Sequence, residues 1–298
     1  MKWRLALVLA LAVAVAPPAR MLGAQGDGAP RGALFIVGGG PQPQALVEEF
    51  VRLAGGAGRA RVVVFAMASA SGQSSGEEKA RALRAMGVDA ENIWIDRGGA
   101  DDSAVVRRVR QATGIWFGGG DQSRLTAALA GSATAQAIAE RYREGAVVGG
   151  TSAGAAVMSA VMITGEERHP GGVRPDTALA FGVLMRDNVV TADGFSLISN
   201  AIIDQHFVRR RRHNRLISLV LERAPHLGVG IDESTALVVE AGGGWRVLGE
   251  SVAVIYDARR AEVTAGGTLG ASGVTMHVLP SGSRFEPGTG RAHLAPRR

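Results

Sequence analysis

The chain has 298 residues, 46% hydrophobic and 20% charged, with 42 glycines, no cysteine and a formal net charge of +6. The absence of cysteine excludes disulfides, a thiol nucleophile and thiolate metal sites. The first 24 residues carry Lys2, Arg4 and Arg20 and no acid, so the remainder holds +3 of that charge, which is too little to argue for a nucleic-acid partner.

In chain order, a short basic start leads into an unbroken apolar run from Leu5 to Ala16, and Pro17-Pro18 then breaks any helix. Leu22-Gly23-Ala24 offers a small-residue cleavage site before Gln25. This is the pattern of an export signal over residues 1–24, too short to span a bilayer comfortably, and it predicts a periplasmic or extracellular protein. No cysteine follows the run, which excludes a lipoprotein anchor. Beyond the signal no stretch is apolar enough to cross a membrane.

Short apolar runs then alternate with helical patterns. Strands are predicted at 33–37, 61–66, 92–96, 114–117 and 146–148. Helices are predicted at 44–54, 75–86, 103–112 and 122–142, the last interrupted near Gly131. Continuous apolar strands suit a sheet buried on both faces, and the alternation predicts a doubly wound, mostly parallel sheet flanked by helices. Ligands bind beyond the carboxyl ends of such strands. Gly38-Gly39-Gly40 and Gly118-Gly119-Gly120 lie at two of those ends. The second half is less regular. A Pro/Gly-rich loop is predicted at 168–177, and antiparallel edge strands at 245–249 and 251–256. Residues 25–280 are read as one α/β domain, and 281–298 as a flexible tail rich in Gly, Pro and Arg.

The densest chemical signal is Gly149-Gly150-Thr151-Ser152-Ala153-Gly154-Ala155, between an apolar strand and an apolar helix start. Small residues on both sides of a serine let the chain turn sharply and lift the hydroxyl to the tip, as a nucleophile elbow requires. No Gly-Lys-Ser/Thr ending is present, so a Walker-type phosphate loop is not indicated. A serine nucleophile needs a base and a group that orients the base. Of the six histidines, His206 stands out, just beyond the apolar Ile202-Ile203. Asp232, Glu233 and Asp204 are each candidates for the orienting carboxylate. Arg209 to Arg212 form an arginine run that continues through His213-Asn214 to Arg215. A helix extending back over His206 would make Arg210 its i,i+4 neighbour, and guanidinium groups on that rim suit an acidic substrate.

Four motifs, Gly118-Gly119-Gly120-Asp121-Gln122, the Ser152 elbow, Asp204-Gln205-His206-Phe207 and Gly230-Ile231-Asp232-Glu233-Ser234-Thr235-Ala236, occur in the order seen in cyanophycinases. From about residue 33 to 256 the chain resembles that family of serine peptidases, which is related to aspartyl dipeptidase. The resemblance implies a class-I glutamine-amidotransferase-like fold and exopeptidase release of β-aspartyl-arginine from cyanophycin, a poly-aspartate backbone bearing arginine on each side-chain carboxylate. It implies Ser152 as nucleophile, His206 as base and Glu233 as the orienting acid. It puts the backbone N–H groups of Gly119, Gly120 and Ala153 at the oxyanion, and Gln122, Asp204, Gln205, Arg210, Arg212 and Arg215 in the substrate pocket. It requires no metal or organic cofactor, and suggests a homodimer. The chain departs from the family's Arg-Gly-Arg-x-Gly-Arg segment, with Arg211 and Asn214 where glycines are usual. The remaining readings are an aspartyl or isoaspartyl dipeptidase of the same fold, a non-catalytic peptide-binding member, and a nucleic-acid binder resting only on the arginine run.

Overall fold

The computed structural model describes residues 29–169, 171–175 and 181–296. The predicted export signal lies outside the described residues. The first half alternates as β1 (Leu34–Val37), α1 (Gln44–Leu53), β2 (Arg61–Phe65), α2 (Gly72–Ala85), β3 (Asp89–Asn92), α3 (Ser103–Gln111), β4 (Gly114–Phe117), α4 (Gln122–Leu129), α5 (Ala133–Glu144), β5 (Val147–Thr151) and α6 (Ala153–Ala156). The second half runs β6 (Val161–His169), β7 (Gly172–Pro175), β8 (Val189–Asp193), β9 (Ile202–Gln205), α7 (His213–Glu222), β10 (Leu227–Ile231), β11 (Thr235–Val239), β12 (Trp245–Gly249) and β13 (Val252–Asp257). It ends in β14 (Glu262–Val263), β15 (Ala271–Ser272), β16 (Thr275–Pro280), β17 (Arg284–Glu286) and β18 (Arg291–His293).

Among the described residues the principal sheet has nine strands in the order β18-β17-β12-β11-β1-β5-β4-β2-β3. The five from β1 to β3 run parallel, and the other four add on antiparallel. The parallel strands with antiparallel strands at one side are as expected, and the C-terminal residues extend that side by β17 and β18. The segment from Ser281 is not a loose tail over the described residues. Phe285 is 1% exposed, packs 5.4 Å from the Trp245 ring, and carries β17 onto β12. Polar Gly/Arg composition masked one apolar anchor. A second sheet, β16-β13-β10-β9, stands beside the first.

Strand alternation divides the core. Ile36, Val63, Phe65, Ile115, Phe117 and Val148 face α3 to α6, while Phe35, Val37, Val62, Val64, Trp116 and Val147 face α1 and α2. Both faces bury apolar residues, as parallel strands covered by helices do. The interruption near Gly131 is real: Gly131 takes φ +70° and Ser132 Oγ then accepts from the Ala135 N–H at 3.1 Å, capping α5. The third strand differs from expectation. It pairs through Asp89–Asn92 with β2, earlier than the apolar residues at 93–95. It is an edge strand, where pairing depends on backbone reach; Ile93 still enters the core, but Trp94 is 52% exposed. The described part of the predicted 168–177 loop belongs to the β6–β7 hairpin.

Candidate active site

The carboxyl ends of β1, β5 and β4 sit side by side and carry Gly38–Gly40, Ser152 and Gly118–Gly120. Ser152 follows β5 with φ 55° and ψ −113°, a strained conformation for a residue with a side chain and the mark of an elbow. Small residues permit it, since a Cβ on Gly150 would stand 2.4 Å from the Gly154 carbonyl oxygen. The turn is fixed to the sheet by the Ser152 N–H, which donates to the Val37 carbonyl at 3.1 Å.

His206 follows β9 in the second sheet. Its N–H donates to the Gly38 carbonyl at 2.6 Å, so the histidine is tied directly to the loop after β1. His206 Nε2 lies 2.9 Å from Ser152 Oγ, and Nδ1 lies 2.7 Å from Glu233 Oε1. The hydroxyl, the ring and the carboxylate thus form one hydrogen-bonded chain drawn from three separate stretches of sequence. With Nδ1–H donating to Glu233, Nε2 is the nitrogen that accepts from the serine. Burial pushes the His206 pKa below its ordinary value; the hydrogen bond it donates to Glu233 opposes this, and the charges of Arg210 and Arg212 reinforce it. A neutral imidazole beside a hydroxyl is the form that takes a proton.

The three carboxylates proposed from sequence separate cleanly. Glu233 meets the histidine. Asp232 turns away: its Oδ1 accepts from the N–H groups of Val208 and Arg209 at 3.1 and 2.9 Å, and its Oδ2 from Ser251 Oγ at 2.8 Å. It clamps the turn that follows His206. Asp204, on β9, is wholly buried and forms a two-pronged ion pair with Arg215, Oδ2 accepting from Nε at 2.7 Å and Oδ1 from Nη2.

The arginine run is mostly turn. Helix α7 begins at His213, so no helix extends back over His206, although the Arg210 N–H does donate to the His206 carbonyl at 2.9 Å. Arg210 is exposed, whereas Arg212 and Arg215 are buried. Arg212 Nη1 donates to the carbonyl and side-chain oxygens of Gln205 at 2.9 and 2.8 Å. Asp204, Gln205, Arg212 and Arg215 are therefore bound to one another in a charged wall under the site. His213 sits 2.8 Å from the Tyr256 hydroxyl, and Asn214 Nδ2 donates to the Phe181 carbonyl at 2.8 Å. Gln122, at the start of α4, is buried and donates to the carbonyls of Ile163 and Thr164 at 2.8 and 2.6 Å, fixing β6 near the elbow.

Gly119 closes on Ser152, since a Cβ there would be 3.4 Å from the Ser152 Cβ. Ala153 opens α6, so its N–H has no carbonyl one turn earlier to meet. Gly120 takes φ +137°, and a Cβ there would lie 2.2 Å from the Ala68 carbonyl oxygen. The loop after β1 is the part that sequence reasoning left without a role. A Cβ on Gly39 would lie 2.3 Å from His206 Cε1, and one on Gly40 would lie 2.8 Å from the Glu233 Cβ. The three successive glycines were the visible signal, but only the fold brings the histidine against them. The arrangement is able to perform nucleophilic acyl transfer, with hydroxyl, base, orienting acid and backbone donors all at one sheet edge.

Residues 34–246 match the sequence profile of peptidase family S51. A cyanophycinase from Nostoc sp. is 32% identical over 265 residues, covering 85% of each chain. One from Synechococcus elongatus is 32% identical over 269 residues, covering 86% of this chain and 79% of that one. One from Geminocystis herdmanii is 31% identical over 267 residues, covering 86% and 93%. The crystal structure of a peptidase from an acI-B1 Actinobacterium superposes with a TM-score of 0.58 at 21% identity, over 84% of this chain and 98% of the other. A putative peptidase E from Listeria monocytogenes superposes at 0.50 and 16% identity, over 74% and 99%. These two likenesses concern the fold.

Proposed function

The chain belongs to peptidase family S51 and is a serine peptidase, and from that premise we propose that it is an exported exopeptidase releasing β-Asp-Arg from cyanophycin or related aspartyl-arginine peptides. The single observation that carries the chemistry is the hydrogen-bonded chain Ser152–His206–Glu233. Ser152 Oγ attacks the scissile carbonyl carbon as its proton passes to His206 Nε2. Glu233 accepts from Nδ1 and stabilises the imidazolium that forms. The N–H groups of Ala153 and Gly119 stabilise the oxyanion. Collapse of the tetrahedral intermediate breaks the C–N bond, and the Nε2 proton leaves on the amine. A water molecule, deprotonated by His206, then attacks the acyl-enzyme and regenerates Ser152.

Support for an acidic substrate comes from the positive charges of exposed Arg210 and of Arg212, both of which act on His206. Three of the relatives are cyanophycinases by name. Export is the reading of the apolar run at 5–16. The test is incubation of protein beginning at Gln25 with insoluble cyanophycin, following β-Asp-Arg by mass spectrometry beside Ser152→Ala. The expected result is dipeptide from the unsubstituted protein alone, with the variant at least about a thousandfold slower. Dipeptide from both would overturn the nucleophile. Release from short isoaspartyl or aspartyl dipeptides but not from the polymer would replace the substrate and keep the chemistry.

A further inference from the structure

A cavity opens on the α1/α2 face of the principal sheet. It encloses about 440 Å³, and its wall includes Gly118, Gly119 and Thr151, the residues flanking the nucleophile on the β4 and β5 sides. Lys79 of α2 projects into it. Its ammonium sits 4.2 Å from the centroid of the Trp116 ring and donates to Gln42 Oε1 at 2.7 Å. An ammonium has three N–H donors, so one goes to Gln42 and two are left for a further acceptor. Among the described residues no carboxylate pairs with it; Glu78 lines the same cavity and forms no ion pair with it. Nearby, the Thr151 hydroxyl is buried with no hydrogen-bond partner among the described residues.

A cation held over an aromatic ring without a counter-charge is costly to desolvate, and burial pushes the Lys79 pKa down to about 8. It stays mostly cationic at neutral pH, and an incoming carboxylate would relieve the cost. The residue type is also telling. Lys2 and Lys79 are the only lysines in the sequence, every other one of the 33 basic residues being arginine. An ammonium is a compact point charge on a flexible stem, with three rotatable donors to aim at an acceptor.

We propose that Lys79, over Trp116 and beside Gly119 and Thr151, forms a second substrate subsite that binds a carboxylate of the peptide distinct from the group facing the arginine wall. This rests on the peptidase reading above and deepens it: the enzyme recognises its substrate by two separated anionic groups, one on each face of the sheet edge that carries Ser152.

The test compares a two-unit β-Asp-Arg peptide bearing free terminal carboxylates with the same peptide amidated at those carboxylates. Lys79→Gln is expected to raise KM for the free acid about ten- to a hundredfold with kcat little changed, and to leave the amidated peptide unaffected. Lys79→Arg should recover part of the loss. Equal effects on both peptides, or none on either, would overturn the subsite. A second readout does not depend on the variant folding. In Ser152→Ala protein starting at Gln25, Lys79 carries the sole side-chain amine, so acetylation there is read as one mass increment after digestion. The free-acid peptide should protect it and the amidated peptide should not; equal labelling with either peptide refutes the proposal. If neither peptide is cleaved by the unsubstituted protein yet protection is seen, the subsite stands and the proposed hydrolysis falls.

Discussion

His206 works under opposing influences. Burial and the charges of Arg210 and Arg212 favour neutral imidazole, while Glu233 favours imidazolium. On the proposed mechanism the base must be neutral to accept the Ser152 proton, so the acid limb of kcat/KM is expected below the ordinary histidine range near 6.5. Arg210 is exposed and contributes only through space, so replacing it with Gln removes a positive charge and raises the His206 pKa. The acid limb should move upward by about a few tenths of a pH unit at low ionic strength, and less in salt. A limb that stays in place, measured with a neutral ester substrate to keep binding out of the comparison, would refute that coupling. Asp232 and Glu233 make the same point about neighbours. Adjacent in sequence and alike in chemistry, they serve different partners, because the chain turns between β10 and β11 and directs one carboxylate to the ring and the other to the N–H groups behind it.

At the scale of elements, the site is a meeting of five loops, and the loop after β1 is the one that closes against the histidine. Gly39 has φ +114°, and its missing side chain is the space the His206 ring occupies. Gly39→Ala asks for both an unfavourable backbone conformation and a displaced imidazole. We expect kcat to fall by about a hundredfold or more while the far-ultraviolet circular dichroism is unchanged; wild-type kcat in a folded variant would show that the loop yields. The same reasoning explains why Arg210 is not carried on a helix with His206. His206 and Arg211 both take positive φ, at 48° and 55°. A helix cannot accommodate them, so the arginines form a turn and α7 starts only at His213.

At the scale of the whole molecule, the last described strands complete the principal sheet. β17 pairs onto β12 and β18 onto β17, and Phe285 fills the space between Trp245 and the His277 ring. Phe285→Ala should cost about 3–5 kcal/mol in urea unfolding; a loss below about 1 kcal/mol would return these residues to the status of a tail. Much of this architecture was legible in the sequence. The alternation of apolar runs with 3.6-period segments set out β1 to β5 and their helices, because parallel strands must bury both faces and helices must bury one. The small-residue frame of Ser152 marked the elbow for the same kind of reason, since only glycine and alanine fit that turn. The tertiary structure decided the rest. Which carboxylate meets His206, what space Gly39 vacates, how Lys79 comes to share a cavity with the turn at Gly119, and where Phe285 docks are all contacts between residues far apart in the chain. Local periodicity carries no record of such distances; they follow from strand order, and strand order is fixed only when the core closes.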